Sequence, residues 1–567
     1  MTKRTEVTAR ELLLVALAGA LLSVVMHWPL ILNLGDTIPK DLGDPLPQSW
    51  QIAWGGHALT EQPFDFFQSN MFWPEPDSLA FGDALIGYAP AGLIGEGPHA
   101  AVARYDLLFL FAYALCFFGA YWLGRELGLR PLGAAIAGVA YAYAPFRLEQ
   151  DGHMQVISSG GIPLTLGLGV RALRLKRPGL LIAAALVAAW QVSLGFAIGL
   201  PFAYLLALLA AVAAALWWRR GRPAPPRRLI VAGLAGVAIF VGTVGLISLP
   251  YFRVADAYPE ATREPSDVEE FSGGLEVFIL NSDENWVWGE ATIDIFDEVN
   301  NPAEKALFPG LLILILAAVG LGSSSFPRWL RSSLGGSVVA LWILQLGFQE
   351  EQGWLWPYRI IYDVLPGWEA IRTPGRLATF STLALALLAA AGAEATVRGA
   401  RRHLAERRPG PAGTRRWAAP VVAGLLVFGI VVEGRGLPFD PWDDQDQPAV
   451  DEVPPSVADL PAPQLHLPAE GGEENRRYVL WSTDGFPLLV NGRASTRPDS
   501  IEELITDMRD FPSEATVERL RAYGVRSVVL HTDLTQDWPQ AGAELRPVEG
   551  LPVSVSRRGP LVIYELR

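Results

Sequence analysis

Two residue types are scarce in this chain of 567 residues, and each scarcity narrows its class. There is one cysteine, Cys116, so no intramolecular disulfide can form. Lysine occurs only four times, whereas arginine supplies the other 41 basic residues. Charged residues make up 18% of the sequence and hydrophobic residues 51%. The chain is too long for one soluble core, and it is too apolar for a soluble acidic enzyme although its net charge is −14.

Motifs of common soluble chemistry are also missing. The sequence has no nucleotide-phosphate loop, no Rossmann glycine pattern and no histidine-based zinc motif. The acidic loop 251–306 lacks a regular ligand spacing, so no metal-binding residue is predicted and a divalent metal stays an open option. Basic residues form no face suited to nucleic acid, which excludes that partner.

Apolar runs close to 20 residues long recur along the first three quarters of the chain and predict transmembrane helices. The eleven predicted spans are 12–33, 105–124, 131–146, 156–171, 179–197, 199–217, 229–250, 307–323, 333–348, 376–396 and 417–433. The apolar stretch 84–97 is short and interrupted by Pro90, so we expect an interfacial or re-entrant helix there. The predicted fold class is therefore a mainly α, polytopic membrane protein.

The charge distribution predicts which side of the membrane each loop occupies. With the N-terminus in the cytoplasm, the cytoplasmic segments carry +18 and the outer loops before the last span carry −21. This agrees with the positive-inside rule, and an additional span at 84–97 would break the asymmetry. The sequence thus predicts a multi-pass protein of the cytoplasmic membrane with a cytoplasmic N-terminus and an extracytoplasmic C-terminal part.

Three predicted domains follow from these patterns: a transmembrane domain over 1–434, a Pro/Asp-rich linker over 435–475 and an extracytoplasmic α/β domain over 476–567. In the last domain, 478–481, 527–531 and 561–566 are predicted as strands. Helices are predicted over 500–508 and 513–523, with Ser513 as N-cap and Gly524 just after the C-terminus.

The first outer loop combines carboxylates, glycines and aromatic residues just beyond a helix end. The carboxylates are Asp41, Asp44 and Asp83, and the residues expected to line a substrate are Trp50, Trp54 and His57. A carboxylate at this place suits a general base that acts on an acceptor hydroxyl. The structural alternative is a solvated acidic loop with an interfacial aromatic belt.

Arginines on the acidic outer side need a reason other than membrane topology. Arg372 and Arg376 precede the tenth span, and Arg147 with His153 follows the third. Guanidinium groups bind phosphate through paired N–H donors, so these four residues are candidate ligands of a lipid phosphate. The alternatives are ion pairs of the arginine pair with Glu369 or Asp363, a snorkelling Arg147 and a hydrogen-bonded His153.

Together these motifs resemble bacterial polytopic membrane glycosyltransferases of the GT-C type, in particular a branch with a GDPL…W…W…HAL first loop. Here the first-loop motif runs from 43 to 59, followed by N-x-F-x-P at 70–74 and L-A-x-x-D at 79–83. Further matching segments are 143–155, Glu304 with 309–311, R-T-P-G-R at 372–376, and 490–492, 511–513 and 524–529 in the tail. The likeness covers nearly the whole chain, and the order of the motifs is more specific than any one of them.

The resemblance implies transfer of a sugar from a polyprenyl-phosphate donor to a cell-envelope glycan or lipid acceptor, usually with inversion. It assigns the general base to Asp44, with Asp41 and Asp83 as the next candidates. It assigns binding of the donor phosphate to Arg372 and Arg376, with Arg147 third, and contact with the phosphate or the sugar to His153. Many such enzymes carry adjacent first-loop acids, whereas Asp41 and Asp44 are three residues apart. No cofactor is assigned.

Two other classes of function stay open at this point. One is a non-catalytic scaffold or flippase for cell-envelope glycan assembly, which would tolerate loss of the Asp44 carboxylate. The other is a sensor whose C-terminal domain binds a ligand outside the cell. The near absence of ionisable residues inside the predicted spans disfavours ion-coupled transport.

Overall fold

The computed structural model describes residues 7–219, 221, 226–348, 356–407, 412–436 and 453–567. The α-helices are α1 Ala9–Met26, α2 Pro45–Glu61, α3 Gly97–Leu127, α4 Pro131–Ala142, α5 Met154–Ile157, α6 Gly161–Leu175, α7 Pro178–Val192, α8 Phe196–Arg219, α9 Arg227–Ala257, α10 Pro265–Glu270, α11 Gly289–Glu298, α12 Pro302–Lys305, α13 Leu311–Gly322, α14 Arg328–Gln345, α15 Pro357–Val364, α16 Ala378–Arg407, α17 Ala412–Glu433, α18 Gly472–Trp481, α19 Asp499–Asp507 and α20 Glu514–Tyr523. The strands are β1 Gln464–Leu467, β2 Ser527–His531, β3 Val553–Arg558 and β4 Leu561–Leu566.

Each of the eleven predicted spans contains helix, and the fourth is divided between α5 and α6. Within the described residues, six helical segments are long and apolar enough to cross a membrane, and three shorter apolar helices accompany them. The stretch around Pro90 is a short 3₁₀ helix, Ile86–Leu93, in agreement with its exclusion from the spans. The chain is a multi-pass membrane protein of mainly α structure.

The chain divides into two compact units, and both are discontinuous in sequence. The first, called the helical unit here, comprises Met1–Trp28, Phe109–Leu246 and Arg263–Phe439. The second, called the mixed unit, comprises Pro29–Leu108, Ile247–Thr262 and Asp440–Arg567. The first outer loop thus shares a compact unit with the C-terminal domain, which the sequential division into three domains did not anticipate.

In the helical unit, the close packing of α13 on α16 depends on small residues. A Cβ atom at Gly320 would overlap the backbone of Leu388, and one at Gly392 would overlap the backbone of Leu316. Glycine at facing positions allows two helices to approach closely, as is common in membrane proteins. This packing holds α16 and the residues just before it in a fixed position.

In the mixed unit, the sheet has the order β1-β2-β4-β3, in which β1 and β2 are parallel and the other pairs antiparallel. The predicted strands β2 and β4 are confirmed, as are helices α19 and α20. Ser513 caps α20, and Gly524 follows it with φ +97°. The strand predicted over 478–481 is wrong, since these residues end helix α18.

Two features of the C-terminal part correct the predicted linker. Strand β1 and the start of α18 lie inside the 435–475 segment, so ordered structure begins well before residue 476. Residues 437–452 of the predicted linker lie outside the described residues. Leu465 and Leu467 of β1 are fully buried, because the strand supplies one edge of the domain core.

Candidate active site

An ion pair between Glu304 and Arg376 is the centre of the polar cluster in the helical unit. Arg376 lies in the 3₁₀ turn Pro374–Leu377 that leads into α16, and Glu304 lies in α12. The arginine Nε is 3.1 Å from both carboxylate oxygens, and one terminal nitrogen is 2.5 Å from Oε1. Both side chains are largely buried, with 13% and 7% exposure. The arginine is therefore bound to an acid, but neither Glu369 nor Asp363 is that acid.

His153 and Arg372 complete this cluster around the Glu304 carboxylate. The Nε2 atom of His153 lies 3.6 Å from Oε1 of Glu304. Burial raises the pKa of the Glu304 carboxyl, but Arg376, His153 and Arg372 together hold it below its usual value. The two arginines and the glutamate together carry a net charge of +1, which favours an anion.

Arg372 is half-buried, and its guanidinium lies over the ring of Phe271 at 5.0 Å from the ring centroid. Such stacking orients the planar guanidinium group. Gln150 supports the same region, since its side chain donates to the backbone oxygen of Ala303 at 2.8 Å.

Arg147 is buried, with 2% exposure, and its hydrogen bonds are made outside the Glu304 cluster. Its guanidinium donates to the backbone oxygen of Ile157 at 2.6 Å and to the hydroxyl of Ser159 at 3.2 Å. The rings of Tyr113 and Tyr141 lie 5.3 and 5.7 Å from it. These contacts fix the turn after α4, and they leave Arg147 poorly placed for the phosphate role that the sequence suggested.

The three first-loop carboxylates belong to the mixed unit, and their surroundings differ. Asp41 is exposed and accepts a hydrogen bond from the backbone N–H of Gly43 at 2.7 Å, which shapes the turn before α2. Asp44 is half-buried at the N-terminal end of α2, where the helix dipole stabilises a carboxylate. It also interacts electrostatically with Arg493. Asp83 is half-buried near Tyr251.

The residues expected to line a substrate take two different positions. Trp50 and Trp54 are almost fully buried and stack on each other, with ring centroids 6.2 Å apart. Their indole N–H groups donate to Asn70 Oδ1 and to the backbone oxygen of Phe66. Both tryptophans therefore belong to the core, and their substrate-lining role stays a prediction. His57 is half-buried against Phe486, and burial lowers its pKa.

Sequence reasoning gave no role to Asn70 and Glu433, which the structure shows to be structural anchors. The Asn70 amide nitrogen donates to the hydroxyl of Ser482 and to the backbone oxygen of Pro487. The Glu433 carboxylate accepts from the backbone N–H groups of Leu311 and Leu312, at the start of α13. Among the described residues, no group of three or more His, Cys, Asp or Glu side chains could hold a metal ion.

Solved structures share this architecture although their sequences are distant. No protein-family profile and no curated protein matches the sequence. The mycobacterial arabinofuranosyltransferase AftD is 16% identical, with a TM-score of 0.51 over 99% of this chain and 42% of that chain. This chain has a GT-C fold.

Two further structures with this GT-C fold are more distant by TM-score. ArnT from Cupriavidus metallidurans bound to undecaprenyl phosphate is 14% identical, with a TM-score of 0.46 over 98% of both chains. The apo oligosaccharyltransferase of Archaeoglobus fulgidus is 14% identical, with a TM-score of 0.46 over 93% of this chain and 70% of that chain. The AftD structure alone carries the assignment, and it confirms the GT-C fold predicted from the sequence motifs.

Proposed function

We propose that the protein is a membrane glycosyltransferase that takes a sugar from a polyprenyl-phosphate donor. The observation that carries the proposal is the fold shared with AftD along almost the entire chain. A cluster with net positive charge in the helical unit and a carboxylate at the start of α2 supply groups suited to this reaction. The acceptor we propose is a cell-envelope glycan or lipid at the outer face of the cytoplasmic membrane.

We propose that Arg372 binds the phosphate of the polyprenyl-phosphate sugar, and that His153 donates an additional hydrogen bond to it. Arg376 already forms charge-assisted hydrogen bonds with Glu304, so its main task is to hold the turn that carries Arg372. The guanidinium of Arg372, fixed over Phe271, would stabilise the phosphate as the bond to the sugar breaks. Arg147 has no part in this assignment.

We assign the general base to Asp44. Its carboxylate would accept the proton of an acceptor hydroxyl while the hydroxyl oxygen attacks the anomeric carbon. The bond between that carbon and the phosphate oxygen breaks at the same time, so polyprenyl phosphate leaves and the configuration inverts. Asp41 is less suitable because it holds the Gly43 turn, and Asp83 is the reserve.

Two pairs of variants in proteoliposomes test these assignments. Asp44→Asn should lower transfer from a polyprenyl-phosphate sugar by about 10²-fold or more and leave binding of undecaprenyl phosphate intact. Its control is Asp36→Asn, an exposed acid of the same loop. Arg372→Gln should weaken binding of undecaprenyl phosphate, whereas Arg359→Gln, which breaks an exposed pair with Asp363, should not.

The possible results separate the proposal from a non-catalytic role. Normal transfer by Asp44→Asn would show that Asp44 is not the general base. If the Asp41 and Asp83 variants also transfer normally, the base does not lie in the first loop. Equal lipid binding by Arg372→Gln and the parent removes the phosphate assignment. Lipid-phosphate binding without transfer to any acceptor favours a scaffold or flippase.

We also propose a cytoplasmic N-terminus and an extracytoplasmic C-terminus, on the strength of the charge asymmetry. The single cysteine, Cys116, is buried, so the parent gives a low background with a thiol reagent. Ser332→Cys and Ser500→Cys can then be labelled in intact cells with a membrane-impermeant maleimide. Labelling at 500 and not at 332 is expected, and the reverse pattern would overturn the orientation.

A further inference from the structure

Three arginines of the C-terminal domain lie close together near Asp44, and the assignments above give none of them a role. They are Arg476 on α18, and Arg493 and Arg497 between α18 and α19. The first loop and the C-terminal domain belong to the same compact unit, the mixed unit. Within this unit, α18 packs against α2, which begins just after Asp44.

The side chains of Arg493 and Arg497 both reach the start of α18. A Cβ atom at Gly472, the first residue of that helix, would lie 3.5 Å from Nη1 of Arg493. The Nη2 atom of Arg497 donates to the backbone oxygen of Ala469 at 3.1 Å. Arg476 follows Gly472 by one helical turn, so both lie on the same face of α18. The three arginines therefore meet at one end of this helix.

Like charges outnumber opposite charges in this arginine cluster. Partial burial lowers the pKa of the Arg493 guanidinium, the charge of Arg476 lowers it further, and Asp44 raises it. Arg497 lowers it as well, although Arg497 also pairs with Glu502 at 3.0 Å. Arginine stays protonated at neutral pH, so three guanidinium groups against two carboxylates leave a net charge of +1.

Other acids close to the start of α18 have partners of their own: Glu470 with Gln540, Glu473 with Arg477 and Glu474 with Trp538. None of these three acids is among the charges that act on Arg493. The excess of positive charge therefore remains.

The cluster also has unused hydrogen-bond donors and an accessible member. The Nε atoms of Arg476 and Arg497 are buried, and among the residues that the structure describes neither atom has a hydrogen-bond partner. Buried N–H groups normally have one. Arg493 keeps an exposed surface, so a molecule from solution can reach it.

We propose that Arg476, Arg493 and Arg497 bind a phosphate group of the acceptor, next to the Asp44 carboxylate. This inference rests on the proposed function and adds the chemical class of the acceptor. A phosphate monoester carries about two negative charges and offers three oxygens, so it can contact more than one guanidinium through charge-assisted hydrogen bonds. The general base and the acceptor site then belong to the mixed unit, whereas Arg372 belongs to the helical unit.

Binding of glucose 6-phosphate to the full-length protein in phosphatidylcholine nanodiscs tests the site. Saturation-transfer NMR follows the titration with undecaprenyl phosphate already present, and glucose is the neutral comparison. We expect glucose 6-phosphate to bind about ten-fold more tightly than glucose. Equal binding of the two sugars overturns the proposal. Displacement of glucose 6-phosphate by undecaprenyl phosphate also overturns it, because the arginines would then bind the donor.

Phosphatidic acid added to the nanodiscs identifies which kind of acceptor carries the phosphate. Competition with glucose 6-phosphate would indicate a lipid acceptor, and absence of competition would indicate a glycan. Either result agrees with recognition of a phosphate group by the arginines.

Two variants localise the binding to the arginine cluster. Arg493→Gln and Arg476→Gln should each weaken binding of glucose 6-phosphate about ten-fold, because each removes charge-assisted hydrogen bonds. Arg557→Gln removes the same charge from an exposed position on the edge strand β3 and should bind as the parent does. Unchanged binding by Arg493→Gln refutes the site, and this variant alone decides if Arg476→Gln fails to fold.

Asp44→Asn separates this result from failure of the proposed transfer. Because Asp44 is the acid that acts on Arg493, loss of its charge should strengthen binding of glucose 6-phosphate about two-fold while transfer is lost. Sugar transfer at the parent rate by Arg493→Gln, in membranes that contain the native acceptor, would overturn the acceptor role. Absence of transfer by the parent, with glucose 6-phosphate binding intact, would instead refute the proposed function.

Discussion

The ion pair between Glu304 and Arg376 allows a quantitative test of what Arg376 does. If its main role is to bind the carboxylate, Arg376→Gln leaves a buried Glu304 with only His153 and Arg372 to compensate its charge. Loss of one partner from a buried pair costs about 3–5 kcal/mol. Because both side chains keep some exposure, we expect a value near the lower limit, about 3 kcal/mol.

A double-mutant cycle separates the pair from other effects of each substitution. The single variants Arg376→Gln and Glu304→Gln should each lower the apparent Tm in nanodiscs, as measured by scanning fluorimetry. The double variant should be less destabilised than the sum of the two by about 2 kcal/mol, since each single change already removes the interaction.

The exposed pair Arg359–Asp363 provides the control for this cycle. Its removal should cost less than about 1 kcal/mol, because water and salt screen an exposed pair. If Arg376→Gln is as stable as Arg359→Gln and instead loses lipid-phosphate binding, the assignment of Arg376 as a structural residue is wrong. Arg376 would then share the phosphate role given to Arg372.

Three further predictions concern stability and its dependence on pH. Asn70→Ala should lower stability by about 2–3 kcal/mol, because the Trp50 N–H and the Pro487 carbonyl each lose their hydrogen bond to Asn70 and the Ser482 hydroxyl loses one of two. Asp65→Ala, a change of an exposed side chain in the same loop, should have a smaller effect on the apparent Tm. Because burial depresses the pKa of His466, the unfolded chain binds a proton at this histidine below about pH 6.5 and the folded chain does not. The free energy of unfolding should therefore be highest above that pH and fall by about 2 kcal/mol by pH 5. His466→Gln should show a shallower decline in apparent Tm over this range, and an equal decline would contradict a buried neutral histidine. The lowered pKa of Glu304 makes its contribution fully present above about pH 4.5 and lost as the pH falls through the lower folded value, so Glu304→Gln should flatten the acid end of the stability profile.

The helical part of the fold was predictable because its signal is local. Long apolar runs determine where helices form, whereas the side of the membrane on which each loop lies stays a prediction from loop charge. The prediction failed over 478–481, where four residues of an apolar and aromatic run were assigned to a strand. The buried positions Asn475, Tyr478 and Val479 follow the spacing of a helix face, which becomes visible only when the window begins at Gly472.

The contacts of the candidate site were less predictable because they join distant parts of the sequence. Arg376 was predicted to bind a phosphate, with an ion pair to an acid close in sequence as the alternative, but the acid that it contacts lies 72 residues earlier. No local spacing rule connects Arg376 with Glu304, whereas Glu369 and Asp363 lie close to Arg376 in sequence and were therefore wrongly considered as its partners. Trp50 and Trp54 show the same limit: aromatic residues in an outer loop look interfacial until the core that covers them is known.

A fragment of the C-terminal domain tests the most consequential of these long-range contacts. Residues 476–567 match the domain predicted from the sequence, but they lack β1, which pairs with β2 along four residues. They also lack the first-loop segment, in which Phe72 packs against Gly492 and the backbone N–H groups of Phe72 and Trp73 donate to the 489–491 segment.

We therefore expect the 476–567 fragment to show no cooperative thermal unfolding by near-UV circular dichroism. The fragment 453–567 restores β1 and two fully buried leucines, yet still exposes the core surface that the first loop covers. It should be more ordered than the shorter fragment and remain prone to aggregation. A cooperative transition in the 476–567 fragment would show that this domain folds without β1 and without the first loop.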